Sequence, residues 1–64
     1  MLKNRLKECR EKSGLTQTDL AAKSGISRAT ISKIENNEEV VLNTKTIAKI
    51  SEVLGVAPSE IFLL

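Results

Sequence analysis

The sequence predicts an all-α fold, a compact bundle of five helices. The chain has 64 residues, of which 41% are hydrophobic and one, Phe62, is aromatic. Its core must therefore be built from Leu, Ile, Val and Ala side chains, which suit packed helices better than a β-sandwich. Apolar residues recur at three- and four-residue spacing, as they do on one face of a helix. A chain of this size is expected to form one domain, over residues 1–64.

The first predicted helix runs from about residue 2 to residue 13. Leu2, Leu6 and Cys9 recur at helical spacing, and Gly14 follows them as a stop signal. Cys9 is then expected to face the core, where a lone thiol behaves as a small hydrophobic side chain.

A second short helix is predicted after Thr16, because Thr16 and Asp19 have the spacing of a capping box. Gly25 ends that helix, at a position where the chain is expected to need a positive φ. Ser27 is a suitable N-cap for a third helix of about residues 28–36. The second and third helices are thus joined by a very short turn.

A fourth helix is predicted from Asn43, a suitable N-cap, to Gly55. The segment before it, residues 38–43, has no helical period and is predicted to be an extended loop. Pro58 begins a last short helical turn. The side chains expected to enter the core from these segments are Val40, Leu42, Ile47, Ile50, Val53, Leu54, Ile61 and Phe62.

Composition argues against several classes of function. Cys9 is the only cysteine and histidine is absent, so an internal disulfide and a Cys/His zinc site cannot form. We expect no metal, no cofactor and no small-molecule ligand. Since no acid–base pair or activated nucleophile can be named, we also expect no enzyme activity. No apolar run approaches the ~20 residues that span a bilayer, and none resembles a signal peptide, so a cytoplasmic location without membrane contact is predicted.

Charge is distributed unevenly along the chain, although the net charge is only +2. Up to Ile34 there are eight basic and three acidic residues, whereas from Glu35 onward there are two basic and five acidic residues. Such a chain can present its cationic part to phosphates, as an oriented DNA-binding protein does. On charge alone, ordinary solvated helix faces explain the distribution equally well.

A set of residues with characteristic spacing runs through most of the chain. They are Leu6, Arg10, Gly14-Leu15-Thr16-Gln17, Leu20-Ala21, Gly25-Ile26-Ser27, Thr30-Ile31, Ile34-Glu35-Asn36 and Leu54-Gly55-Val56. With these residues the chain resembles the Cro/C1-type helix-turn-helix family, also called the XRE family of phage and bacterial regulators, and the similarity extends from Leu6 to Phe62. The resemblance implies a lambda-repressor-like fold and a sequence-specific regulator, expected to be a repressor, that binds double-stranded DNA through the major groove.

The third helix supplies the predicted reading surface. At about 100° per residue, Ile31 and Ile34 point inward and the opposite strip points outward. The residues predicted to read bases on that strip are Arg28, Ala29, Ser32 and Lys33. The predicted DNA backbone contacts are Gln17, Ser27, Thr30, Asn36 and Lys45. The resemblance implies that Gln17 also braces the start of the reading helix, whereas Asn36 can equally be a helix C-cap alone.

Arg10 lies on the same predicted helix face as Leu6, so its charge should be partly buried and should need a carboxylate. Glu35 flanks the inner stripe of the third helix and is the expected partner. The family's matching pair forms a buried salt bridge. We therefore predict a structural ion pair between Arg10 and Glu35.

The sequence departs from the family after Asn36, where basic residues are often found. Glu38 and Glu39 stand there instead and would repel DNA. Either this loop turns away from DNA or binding is weaker. The two carboxylates also favour an alternative function, an antitoxin or a protein-interaction module with weak or no DNA binding.

Relatives usually bind symmetric operators as dimers, so the resemblance implies a homodimer on a pseudo-palindromic operator. The apolar end of the chain is the predicted contact, through Ile61, Leu63 and Leu64. The alternative is a frayed end with exposed leucines.

Overall fold

The computed structural model describes residues 3–38, 40 and 42–63, and at residues 3 and 63 it describes the backbone alone. Five helices and one pair of very short strands follow in chain order. They are β1 (Lys3–Asn4), α1 (Leu6–Lys12), α2 (Gln17–Ser24), α3 (Arg28–Glu35), α4 (Thr44–Leu54), α5 (Pro58–Ile61) and β2 (Phe62–Leu63). The predicted all-α bundle of five helices is confirmed.

The start of the first helix differs from the prediction. It begins at Leu6 and not at residue 2, because β1 pairs antiparallel with β2, in the register Lys3 to Leu63 and Asn4 to Phe62. The Arg5 amide then donates to the Ile61 carbonyl at 2.7 Å. The pairing with β2 holds Lys3 and Asn4 in extended structure, and the Arg5 bond fixes the start of α1 next to it. Leu2, which was assigned to this helix, lies outside the described residues.

The predicted helix boundaries in the middle of the chain are confirmed. Thr16 and Asp19 form a reciprocal capping box at the start of α2, and Ser27 and Asn43 cap α3 and α4 through their side-chain oxygens. Gly25 ends α2 with a φ of +73°. The capping side chains satisfy backbone N–H groups that have no partner within the helix.

The core lies where all five helices and β2 meet. Its buried hydrophobic side chains are Leu6, Leu20, Ile31, Ile34, Ile50, Leu54, Ile61 and Phe62. Half-buried hydrophobic side chains from α1, α2, α4 and the connecting segments pack around it, Cys9 among them. Because α3 buries Ile31 and Ile34 in this core, the helix cannot rotate about its axis without exposing them.

The burial of Ile61 bears on the dimer contact predicted at the end of the chain. Ile61 is fully buried within the single chain, so its side chain has no surface to offer to a second copy. The prediction that Ile61 forms a dimer contact is therefore wrong. Leu64 and the side chain of Leu63, which were predicted for the same contact, lie outside what the structure describes.

Candidate nucleic-acid interface

The turn between α2 and α3 consists of three residues and sets the two helices against each other. Gly25 takes the left-handed conformation at no side-chain cost. The buried Ser24 hydroxyl donates to the Leu20 carbonyl at 2.7 Å and accepts from the Ile26 amide at 3.2 Å. The half-buried Ile26 packs against the core. The turn is thus fixed by local hydrogen bonds and by one apolar anchor.

The outer strip of α3 is open to solvent, as the helical projection predicts. Arg28, Ala29 and Lys33 are exposed, and Ser32 is half-buried. Among the described residues the Arg10–Glu35 pair is the single salt bridge, so the charges of Arg28 and Lys33 are not paired with a described carboxylate. The structure brings the four predicted base-reading residues together on one helix face.

The residues predicted to contact the DNA backbone lie at three places. Ser27 and Thr30 share a hydrogen bond of 2.8 Å between their hydroxyls at the amino end of α3, where the Ser27 hydroxyl also accepts from the Thr30 amide. Asn36 is exposed and is the C-cap residue at the opposite end. Lys45 is exposed in the first turn of α4, and Gln17 begins α2.

The predicted ion pair between Arg10 and Glu35 forms with two hydrogen bonds. Arg10 donates through Nε to Glu35 Oε2 at 2.7 Å and through Nη2 to Oε1 at 3.1 Å. Its Nη1 donates to the Leu15 carbonyl at 2.7 Å. The exposed fractions of the two side chains are 10% and 3%. The hydrogen bonds to Glu35 raise the pKa of Arg10, against the opposing effect of burial, so the arginine stays charged.

Gln17 supports the carboxyl end of α3, whereas the prediction placed it at the amino end. Its Nε2 donates to Glu35 Oε1 at 3.1 Å, and Glu35 is the last residue of α3. The prediction that Gln17 braces the start of α3 is wrong, because the amino end of α2 lies beside the carboxyl end of α3. Arg10, Gln17 and Glu35 therefore link three helices.

Sequence reasoning missed Asn4. Its Nδ2 donates to the Ile34 carbonyl at 2.8 Å and to Asn37 Oδ1 at 3.1 Å, and its Oδ1 accepts from the Leu6 amide at 3.0 Å. An asparagine two residues before an apolar helix start is a recognisable turn signal. Its reach across to α3 depends on the pairing of the chain ends and has no local signature.

The loop after α3 begins with a left-handed residue, Asn37, whose φ is +58°. Glu38 follows, exposed, and its amide donates to the Lys33 carbonyl at 2.9 Å. One of the two carboxylates predicted to oppose DNA thus lies directly beyond α3. Glu39 lies outside the described residues.

A shallow cleft of about 250 Å³ lies away from these residues, between α1 and the chain around Val56 and Glu60. Cys9 and Lys12 line it from the side of α1. Its volume is below the range of about 300–1,000 Å³ typical of small-molecule sites.

None of the helices that the structure describes has both the length and the apolar character that spanning a bilayer requires.

Comparison with known proteins gives one family. A family model described as helix-turn-helix matches residues 6–61. The chain is 42% identical over 62 residues to the uncharacterized HTH-type transcriptional regulator MJ0272 of Methanocaldococcus jannaschii, and the match covers 97% of this chain and 92% of that protein. It is 50% identical over 38 residues to antitoxin HipB of Escherichia coli, with coverage of 59% and 43%.

Among solved structures, the N-terminal DNA binding domain of SinR from Bacillus subtilis superimposes with a TM-score of 0.78 and 31% identity, over 84% of this chain and 78% of that one. The chain spans only 16% of the length of a putative HTH-type transcriptional regulatory protein of Archaeoglobus fulgidus and 37% of the length of the uncharacterized HTH-type transcriptional regulator RghRB of Bacillus subtilis. The matched segment is thus a domain that occurs in proteins of very different length.

Proposed function

The chain belongs to the Cro/C1-type helix-turn-helix family, and we propose that it is a sequence-specific regulator that binds double-stranded DNA with α3 in the major groove. The observation that carries the proposal is the division of α3 into two faces. Ile31 and Ile34 are anchored in the core, while Arg28 and Lys33 are exposed on the opposite face. A helix held in this way can present a fixed set of side chains to base edges.

Each residue of the outer strip has a distinct proposed role. Arg28, at the amino-terminal tip of α3, donates to guanine O6 and N7, as arginine does in major grooves. The Ala29 methyl group contacts a thymine methyl group, and Ser32 and Lys33 meet bases further along the groove. The relatives named as transcriptional regulators, and a solved neighbour named as a DNA binding domain, support this assignment.

The proposed backbone contacts flank the strip. Ser27 and Thr30 lie at the amino end of α3 and Asn36 at its carboxyl end, so they can bind phosphates on the two sides of the groove. Gln17 and Lys45 approach from the first turns of α2 and α4. Such contacts fix the position of the protein on DNA without reading sequence. A repressor that acts by covering an operator needs only these contacts to bases and phosphates.

Selection of bound sites from random duplex DNA tests the proposal, with wild type, Arg28→Ala and Lys45→Ala compared in parallel. Loss of Arg28 should relax the preference at one base position in each half-site, at a cost of about 1–3 kcal/mol there. Loss of Lys45, the matched control for a phosphate contact, should weaken all sites alike. Equal weakening by both variants would refute base reading by Arg28.

A second candidate function is an antitoxin or protein-interaction module. Exposed Glu38 beyond α3 and the similarity to antitoxin HipB favour it. Titration of the wild-type chain with duplex DNA at several salt concentrations separates the two candidates. DNA binding that weakens steeply with salt supports the regulator, whereas the absence of salt-sensitive binding supports the interaction module.

A further inference from the structure

Asn4 joins both ends of the chain to the carboxyl end of the proposed reading helix. Its backbone pairs with that of Phe62, and its Oδ1 accepts from the Leu6 amide. These contacts hold the residue on both sides, so the direction of its carboxamide NH2 group is set. That group donates to the Ile34 carbonyl and to Asn37 Oδ1.

The two acceptors lie where α3 ends. The carbonyls of the last turn of a helix lack amide partners four residues ahead, and the Ile34 carbonyl accepts from the Asn37 amide at 3.1 Å and from Asn4 at 2.8 Å. Asn37 is the left-handed residue that turns the chain away from the helix axis. Asn4 therefore binds both the end of the helix and the turn that follows it.

We propose that Asn4 is a positioning residue for DNA binding, which holds the turn after α3 in the orientation that aims Asn36 at DNA and keeps Glu38 back. The inference rests on the proposed function for its effect on DNA, but not for the contact itself. Asn36 and Glu38 stand on either side of Asn37. The Asn36 amide donates to the Ser32 carbonyl and the Glu38 amide to the Lys33 carbonyl, so loss of the Asn4 contacts loosens the turn without releasing its backbone. In a loosened turn the Glu38 carboxylate comes within reach of phosphates and Asn36 is held less firmly.

Asn43 offers a matched control. Both asparagines accept a backbone amide near the start of a helix, Asn4 from Leu6 and Asn43 from Thr46. Among the described residues the structure gives the Asn43 side chain no further hydrogen bond, whereas Asn4 makes two more through its NH2 group. A serine hydroxyl can replace the acceptor at either position. Both variants therefore keep the acceptor for the backbone amide, but only Asn4→Ser loses hydrogen bonds to the end of α3 and the turn after it.

The experiment measures amide hydrogen exchange of the free chain and affinity for a selected duplex. In Asn4→Ser, the Asn37 and Glu38 amides should exchange at least about fivefold faster, because the variant loses two hydrogen bonds and the loss of one alone corresponds to about that factor, while amides within α4 are unchanged. Affinity should fall about fivefold by the same reasoning. Asn43→Ser should change neither quantity. Asn4→Asp keeps the acceptor but sets a carboxylate oxygen against the Ile34 carbonyl, and should give a larger loss.

Two results would overturn the positioning role. The first is that the Asn37 and Glu38 amides of Asn4→Ser exchange at the same rate as in wild type. The second is that amides in all helices exchange faster to the same extent, which marks a general loss of stability. If wild type itself binds no duplex, the proposed function fails, and faster local exchange in Asn4→Ser still establishes the contact. If wild type binds DNA and Asn4→Ser binds equally well, the positioning role alone is refuted.

Discussion

Glu35 receives three hydrogen bonds from two side chains, Arg10 and Gln17, although only 3% of its own side chain is exposed. A buried carboxylate of this kind is tolerated because its charge is neutralised and its oxygens are satisfied. Arg10 could be assigned a carboxylate partner from sequence, since it shares a helix face with Leu6. The contribution of Gln17 could not, because it depends on how α2 lies against α3.

Replacement of Glu35 by alanine should destabilise the fold strongly. The variant leaves the guanidinium of Arg10 buried without its counter-charge, at a cost of about 3 kcal/mol in the free energy of unfolding. Chemical denaturation followed by circular dichroism measures the change. Glu52→Ala, at an exposed position in α4, is the control and should remain within about 0.5 kcal/mol of wild type. An unchanged denaturation midpoint for Glu35→Ala would contradict a structural role for the pair.

The elements themselves follow closely from local sequence between Thr16 and Gly55. Each helix there begins at a side chain that accepts a backbone amide, and each has its apolar residues on the face that packs inward. Such signals lie within a few residues of one another and need no knowledge of the fold. The start of the chain is different. Leu2 and Leu6 have helical spacing, but pairing between β1 and β2 joins segments about 60 residues apart, which no local pattern encodes.

The capping box of α2 predicts a pH dependence. The Thr16 amide donates to Asp19 Oδ2 at 3.0 Å, and this hydrogen bond, with a smaller contribution from the nearby Thr16 side chain, lowers the pKa of Asp19 below the usual aspartate value. A carboxyl whose pKa is lower in the folded chain stabilises the fold above the unfolded pKa of about 4. That stability is lost as pH falls from about 4 through the lower folded pKa.

Asp19→Asn should therefore lose less thermal stability than wild type between pH 5 and pH 2, because it lacks the one carboxyl group whose protonation weakens the capping box. The amide retains an acceptor for Thr16 but does not titrate. Glu52→Gln serves as the control for removal of an exposed carboxyl group elsewhere and should follow the wild-type curve. Parallel curves for Asp19→Asn and wild type over this range would show that the capping box contributes no pH dependence.

At the scale of the whole molecule, the four residues of the outer strip of α3 could be placed from sequence because a helix anchored on one face must expose the other. The full burial of Ile61 within the single chain could not be predicted. Its full burial depends on α5 and β2 closing over the core next to β1. On the proposed function, one domain offers DNA a single short helix with an acidic residue, Glu38, beyond it. We therefore expect tight binding to DNA to need a second copy.

The affinity for DNA with two half-sites should therefore exceed the affinity for DNA with one, and it should depend on the spacing between the half-sites. Two copies related by a two-fold axis reach half-sites whose centres are about 10 base pairs apart, one turn of DNA. Insertion of about 5 base pairs places the half-sites on opposite faces of the duplex, so the higher affinity for two half-sites should disappear. Insertion of a further ~5 base pairs returns them to the same face, but at a larger separation. Electrophoretic mobility and sedimentation of the complexes measure affinity and stoichiometry together. Equal affinity for one half-site and for every spacing, with one chain bound per half-site, would show that each copy binds DNA independently.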